Sequence, residues 1–482
     1  MTCLAASLVA QDSDHVLWLS PTAAAEPVHV AQLRSALAQI RLDDFRGKRV
    51  GIGTMPVLEL LATLVLLDGL ADAILMLPNE EDETARANRL AQAQIDLVLD
   101  QQELGLMQKM AVASGLNDSS LSRSLNISHH PANVDAVAVG KMRAGCANLA
   151  DLALPTTATT WLMPTSGTTG SPKLIPHSFA SLTKSMVRPS PGKAFTWGCL
   201  YSVRRFAGLQ VFLQAWLAAT PLILAEDGAD ITQTLARLLA AGCNALSATP
   251  SMWRKLSMLP GFEQLPLQQI TLGGEIVDQA VLDLLSHHFP DARITHIYAS
   301  TEAGVGFAVR DGRAGFPLAF LQQAPGNVQM RIDAKQHLWF AAAPGALALA
   351  GADPDHDGWL DSGDVVQVLG ERVLFLGRAN GSINVGGNKV MPEEVESVIK
   401  ELPQIAFVQV RARKSGMLGS LVEACVTLTP GNVLDAAFKK QLTSHCRTRL
   451  DAFKVPAFIV ELPDIELTAS GKLSRLTKVN PA

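Results

Sequence analysis

The sequence predicts an α/β protein: a large N-terminal domain of α/β subdomains plus a small β-rich lobe, with a small α+β C-terminal domain. Three observations carry this reading. Apolar runs alternate with helical segments twice, over Arg49–Asp100 and again after Trp161, the pattern of βαβ units around a mostly parallel sheet. From about Gly304 to Leu376, short strand-like pieces are broken by Gly, Pro and Asp turns. After Gly377 the pattern changes again, and the remainder is long enough for a domain with its own core. The expected division is 1–376, a linker at 377–380, and 381–482.

In order, the first series offers strands at Val50–Gly53, Ala73–Leu77 and Ile95–Leu99, with an amphipathic segment at Pro56–Leu70 and a polar helix at Asp82–Ala91. The second offers strands at Trp161–Met163, Pro221–Ala225, Ala245–Ser247, Gln269–Leu272 and Ile294–Tyr298, separated by helices at Leu209–Leu217, Ile231–Ala241 and Asp278–His288. The β-rich lobe reads as Val328–Ile332, Leu338–Ala341, Val365–Val368 and Arg372–Leu376. The C-terminal stretch reads as a helix at Glu393–Lys400, strands at Ala406–Ala412 and Leu421–Leu428, a helix at Val433–Leu450 and a strand at Ala457–Glu461.

Composition narrows the function classes. With 48% hydrophobic and 18% charged residues the chain is globular rather than disordered or fibrous. A net charge of −5 leaves no basic excess for a phosphate backbone or an anionic bilayer, so neither nucleic acid nor membrane is expected as a partner. The longest apolar stretch, Leu209–Ala225, is interrupted by Gln210, Gln214, Thr220 and Pro221, which argues against a bilayer span. The six cysteines show no CxxC spacing, and no Lys or Arg precedes Arg34, so a reducing, cytoplasmic location without a signal peptide is expected.

One string stands out chemically: Thr165-Ser166-Gly167-Thr168-Thr169-Gly170-Ser171-Pro172-Lys173, directly after an apolar strand. Dense hydroxyls and glycines let backbone N–H and side-chain O–H groups turn inward on a polyphosphate, with Lys173 as counter-charge. It is no Walker A loop, because Lys173 follows Pro172 and the Gly-Lys-Ser/Thr ending is missing. No GxSxG nucleophile elbow occurs, and Ser178 after His177 reads as a helix N-cap.

This string resembles the phosphate-loop signature of the adenylate-forming superfamily: acyl- and aryl-CoA synthetases, free-standing adenylation enzymes and firefly-type luciferases. Further stretches resemble the family's elements in the same order. They are Tyr298-Ala299-Ser300-Thr301-Glu302, Asp361-Ser362-Gly363-Asp364, Gly377-Arg378 with Ile383–Val390 and Pro392–Glu396, and Leu467-Thr468-Ala469-Ser470-Gly471-Lys472. The likeness spans about 160–475.

The resemblance implies ATP-dependent attack of a carboxylate on the α-phosphate, release of pyrophosphate, and transfer of the acyl group to a thiol. Two anions must meet, so donors and cations are needed where negative charge accumulates. Carried over residue by residue, Lys472 would bridge the carboxylate and α-phosphate, Thr301 would donate to the α-phosphate, and Glu302 would hold Mg²⁺. ATP would lie against Thr165, Ser166, Gly167, Thr168, Thr169, Gly170, Lys173, Gly274, Glu275, Tyr298 and Ala299, with Asp364 and Arg378 on the ribose. Asn380 falls at the position of the family's hinge, about which a mobile C-terminal domain, carrying the catalytic lysine, rotates between the two steps. Relatives carry Asp or Lys there.

Arg205, Phe206, Gly208, Leu209, Gly274 and Ala299 match positions lining the acid pocket. The Asp with which amino-acid-activating relatives grip an ammonium is missing from that region, so an α-amino acid is not expected. Arg205 either recognises an anion or pairs with a carboxylate at the pocket rim. Ala299, where Gly is usual, adds a methyl that favours a compact or flat acid. An aryl or medium-chain acid with coenzyme A as acceptor is the main expectation. Loading of a phosphopantetheine carrier protein is the first alternative; with ten residues after Lys472, such a carrier would act in trans. A luciferase-like oxygenase and a non-catalytic nucleotide-binding descendant are the others. Oligomeric state is left open.

Overall fold

Parallel strands built from consecutive apolar residues must be covered on both faces, and the first part of the chain follows that rule. A computed structural model describes residues 3–4, 16–19, 28–37, 44–79, 83–100, 158–164, 173–186, 195–225, 229–301, 304–323, 325, 328–341, 358–415 and 419–462. The chain divides into two units, Met1–Glu226 with Ala348–Gly351, and Asp227–Leu347 with Ala352–Ala482.

In the first unit the elements are β1 (Val16–Leu19), β2 (Val28–His29), α1 (Val30–Leu37), β3 (Arg49–Ile52), α2 (Val57–Leu67), β4 (Ala73–Met76), α3 (Glu83–Gln92), β5 (Leu97–Leu99), β6 (Thr160–Pro164), β7 (Leu174–His177), α4 (Phe179–Thr183), β8 (Trp197–Cys199), α5 (Phe206–Leu217) and β9 (Leu222–Leu224). A sheet of order β5-β3-β4-β6-β7 is parallel except for β7, which runs back along β6. Strands β8, β9 and β1 pair in parallel, and β2 closes on β1 antiparallel. The sequence predicts an amphipathic Pro56–Leu70; instead all 11 residues of α2 are buried, Glu59 and Thr63 included. The Thr63 hydroxyl donates to the Glu59 carbonyl at 2.7 Å, so that polar group is satisfied inside the helix. Ser178 is the N-cap expected of it, exchanging reciprocal bonds with Ser181 at 3.1 Å.

The second unit holds α6 (Ile231–Ala240), β10 (Ala245–Ala248), α7 (Pro250–Ser257), β11 (Gln269–Gly273), α8 (Gln279–His288), β12 (Arg293–Ser300), β13 (Gly304–Val309), β14 (Phe316–Pro317), β15 (Met330–Ile332), β16 (His337–Ala341), β17 (Trp359–Leu369), β18 (Arg372–Arg378), β19 (Ile383–Val385), β20 (Asn388–Val390), α9 (Pro392–Ile399), β21 (Ile405–Ser415), β22 (Gly419–Leu428), α10 (Ala436–Arg447) and β23 (Phe458–Glu461). Strands β10, β11 and β12 are parallel in register, and β13 returns antiparallel along β12. The β-rich lobe thus begins at β14 rather than at Gly304: Phe307 is held opposite Tyr298 by the β12–β13 pairing. The lobe is a five-stranded antiparallel sheet of order β14-β18-β17-β16-β15 around Phe316, Met330, Leu338, Phe340, Val366 and Val373. The last sheet places β19, β21 and β23 on β22, with α9 and α10 packed on one apolar core that includes Val390, Val395, Ile399, Val408, Val426 and Leu442. Strand β18 runs on through Gly377 and Arg378, and the irregular turn between the sheets is Ala379–Gly381.

Candidate active site

In parallel α/β sheets, ligands gather beyond the carboxyl ends of the strands, and β12 ends at such a place with Tyr298, Ala299 and Ser300. A register shift between Tyr298 and Ala299 marks a bulge, which re-aims the side chains that follow. The Tyr298 ring lies nearly parallel to Phe307, Phe340 and Phe375, with centroids 5.3, 5.3 and 5.2 Å away. Three aromatic side chains, from β13, β16 and β18, therefore lock the β12 phenol in place.

The Tyr298 hydroxyl donates to Asp364 Oδ2 at 2.5 Å, and Arg378 Nε lies 3.0 Å from Oδ1. Asp364 and Arg378 are directly opposed in the β17–β18 ladder. The turn inside β17 is fixed locally. Gly363 N–H donates to Asp361 at 2.8 Å, Asp364 N–H donates to the Ser362 hydroxyl at 3.0 Å, and that hydroxyl donates to the Leu338 carbonyl at 2.7 Å. Gly363 sits at φ +72°, the left-handed region, which explains a glycine there. Asp364 is only 6% exposed. Burial pushes its carboxyl above the ordinary value, with Arg378 and the Tyr298 hydrogen bond pulling the other way. Burial, and then the Asp364 charge, drive the Tyr298 hydroxyl well above its ordinary range. The result is a buried acceptor held by a fixed phenol on Oδ2 and by a half-exposed guanidinium on Oδ1.

Elsewhere in this unit, the Glu275 carboxylate accepts from Ser251 N–H at 2.9 Å, in the first turn of α7. That bond ties the turn after β11, which contains Gly274, to a helix N-terminus where a carboxylate is favourable. Thr301 follows β12 directly and is half-buried. Asn380 is exposed on the Ala379–Gly381 turn.

In the first unit, Lys173 is exposed immediately before β7. Arg205 occupies the N-cap position of α5 without a side-chain cap, and Phe206, Gly208 and Leu209 form its first turn, all buried. A Cβ on Gly208 would lie 2.3 Å from the Ser202 carbonyl oxygen, so only glycine permits this approach. Two residues unmarked in the sequence support this turn. Arg204, buried, donates to the carbonyls of Ile52, Leu77 and Gly53 at 3.2, 3.1 and 2.6 Å, fastening the turn to the ends of β3 and β4. The His177 ring lies 5.5 Å from that of Phe206. A buried arginine leaves no sequence signal separating it from its neighbour Arg205.

The structure thus brings Tyr298, Asp364 and Arg378 into contact, and separately groups Arg205–Leu209. Thr165, Ser166, Gly167, Thr168, Thr169, Gly170, Glu302 and Lys472 lie outside the described residues. Among the described residues, no group of three or more His, Cys, Asp or Glu side chains could hold a metal ion, and no helix is long and apolar enough to cross a membrane. The described cysteines, Cys3, Cys199, Cys243, Cys425 and Cys446, are all buried.

Known proteins extend this picture. The family described as AMP-binding enzyme matches residues 30–352, and the AMP-binding enzyme C-terminal domain matches 394–472. The 2-succinylbenzoate–CoA ligase of Listeria innocua is 27% identical over 336 residues, 65% of this chain and 68% of that protein. A p-hydroxybenzoic acid–AMP ligase of Mycobacterium tuberculosis is 27% identical over 344 residues, 66% of this chain and 48% of that protein. In fold, the chain resembles the anthranilate CoA ligase solved with anthranoyl-AMP, with a TM-score of 0.72 at 17% identity, covering 98% of this chain and 95% of that one.

Proposed function

Because this chain belongs to the AMP-binding enzyme family of the adenylate-forming superfamily, and is an AMP-forming acid–thiol ligase, we propose that it activates an aryl or medium-chain carboxylic acid as the acyl-AMP and passes the acyl group to coenzyme A. In the first step a carboxylate oxygen of the acid bonds to the α-phosphorus of ATP, and the bond to the bridging oxygen breaks, releasing pyrophosphate. In the second the thiol sulfur bonds to the acyl carbon, AMP leaves with the electron pair, and the thiol proton passes to solvent.

The observation that carries the nucleotide reading is the Asp364 acceptor beside Arg378 and Tyr298. A vicinal diol offers two donors, and a carboxylate with four lone pairs, oriented by the fixed Tyr298 phenol and flanked by the half-exposed Arg378, would accept them. Thr301, at the end of β12, would donate to the α-phosphate, and the 165–173 string would cradle the β- and γ-phosphates with Lys173. Glu302 would hold a Mg²⁺ ion, which would neutralise charge on the phosphates. Lys472 would place an ammonium between the two anions. Arg205, Phe206, Gly208 and Leu209, with Gly274 and Ala299, would line the acid pocket, and Arg204 would keep that turn fixed. An aromatic acid is supported by the names of the three similar proteins, each of which carries a benzoate-type acid.

A second acceptor has its own support. The mycobacterial relative is named an acid–AMP ligase, with no coenzyme A in its name, and an acceptor such as a carrier-bound phosphopantetheine fits that name as well as coenzyme A does. Pyrophosphate release measured over aromatic, short, medium and long-chain acids, with and without coenzyme A, tests both readings. We expect release with aromatic or medium-chain acids and an acyl-CoA product by mass spectrometry. Adenylate accumulation without thioester selects the carrier, and no release with any acid refutes the ligase.

A further inference from the structure

The Asp278 carboxylate joins the two family-matched stretches. Asp278 caps α8, accepting from Val281 N–H at 3.1 Å, and takes Arg254 Nη2 on Oδ1 at 2.5 Å. Both ionic partners are nearly inaccessible, with side chains 9% and 10% exposed. This pair is complete in itself: one charge of each sign, with the carboxylate further bonded to the helix amide. Yet Lys400, from the C-cap of α9, brings Nζ to within 3.2 Å of Oδ2, and its side chain is only 17% exposed. Lys400 lies in the 394–472 match, whereas Asp278 and Arg254 lie in the 30–352 match.

Burial alone would push the Asp278 carboxyl upward, but the Lys400 and Arg254 charges hold it far below the ordinary range. By contrast, Lys454 and Arg449, from the same stretch, pair with Glu394 and Glu401 within it. Lys400 instead reaches outward to a carboxylate that already had a partner.

We propose that Asp278 is the docking point of the 394–472 stretch and Lys400 the positioning residue that sets its pose relative to the nucleotide site. This rests on the ligase reading, because the catalytic ammonium assigned to Lys472 ends that same stretch and is placed only as well as the stretch is held. Adenylation brings two anions together and requires that ammonium; thiolysis of a finished adenylate does not. A change of pose must therefore alter the ratio of the two half-reactions.

The test uses the full chain as Lys400→Met and Lys400→Arg. Lys400→Met leaves the Arg254–Asp278 pair intact, so no buried charge is orphaned. Two readouts are taken: the distance distribution between spin labels at Gln322→Cys and Lys440→Cys, and the rates of adenylate formation and of thiolysis of supplied adenylate. For Lys400→Met we expect a broadened or displaced distribution and a ratio of half-reaction rates changed about tenfold, within the usual range of coupling between sites; Lys400→Arg restores both. The direction of the change tells which half-reaction the docked pose serves. An unchanged distance distribution overturns the proposal whatever the enzyme's substrate. An unchanged ratio with a changed distribution overturns the positioning role. Should the wild-type chain release no pyrophosphate with any acid, the ligase reading fails while the distance measurement still decides the docking.

Discussion

At the scale of single residues, Asp364 illustrates how function and stability oppose each other. Its carboxyl is raised above the ordinary value because burial outweighs Arg378 and the Tyr298 hydroxyl. For an acid with a raised folded-state value, the contribution to stability is fully present below the unfolded value and is lost as pH rises through the folded one. Asp364→Asn removes that cost while keeping an oxygen for Tyr298; the Arg378 left behind is 54% exposed and remains hydrated. We expect the variant to gain stability relative to the wild type as pH rises from 4 to 7.5, read from denaturant unfolding at each pH. Its KM for ATP should rise about tenfold or more, since hydrogen bonds to a charged acceptor are worth about 1.5–3 kcal/mol. A stability difference that does not vary with pH would show that Asp364 is not ionised at a cost. Tyr298 was legible from its motif, but the slab that holds it was not, because Phe307, Phe340 and Phe375 come from three other strands.

At the scale of elements, the alternation of apolar runs located the parallel strands because their residues are buried on both faces, as in β4, where all of Ala73–Met76 are buried. The same uniform burial misled the reading of α2, since a helix covered on every side has no polar stripe. The hairpin β19–β20 lies within the Ile383–Val390 motif but carries no strand signal of its own, since each strand is only three residues long, too short for a period. Within α5, the pocket turn depends on Gly208. Gly208→Ala forces a methyl to within 2.3 Å of the Ser202 carbonyl, backbone that cannot swing away. We expect a loss of about 1–3 kcal/mol in unfolding free energy, with KM for the acid rising more than KM for ATP. Equal changes in the two KM values would remove the Arg205–Leu209 turn from the acid pocket.

At the scale of the whole molecule, the assigned chemistry is distributed from the phosphate string at 165–173 to Lys472, and long-range pairs decide how the pieces are held. The bond between Lys400 and Asp278 joins positions 122 apart, which no local pattern announces. Ordered motifs gave the site its residue types; the contacts that hold them had to come from the fold. The assignment of Lys472 makes a prediction that separates a catalytic from a structural lysine. If its ammonium neutralises the encounter of carboxylate and α-phosphate, Lys472→Ala lowers pyrophosphate release about 10²–10³-fold, as expected for loss of one transition-state donor. Thioester formation from supplied acyl-adenylate and coenzyme A should then fall less than tenfold, because the phosphorus–oxygen bond has already been made and the anions no longer approach. Rapid-quench measurement of each half-reaction distinguishes the cases. A parallel fall in both rates would mean that the lysine supports the C-terminal stretch rather than the chemistry, and the first step would need another cation.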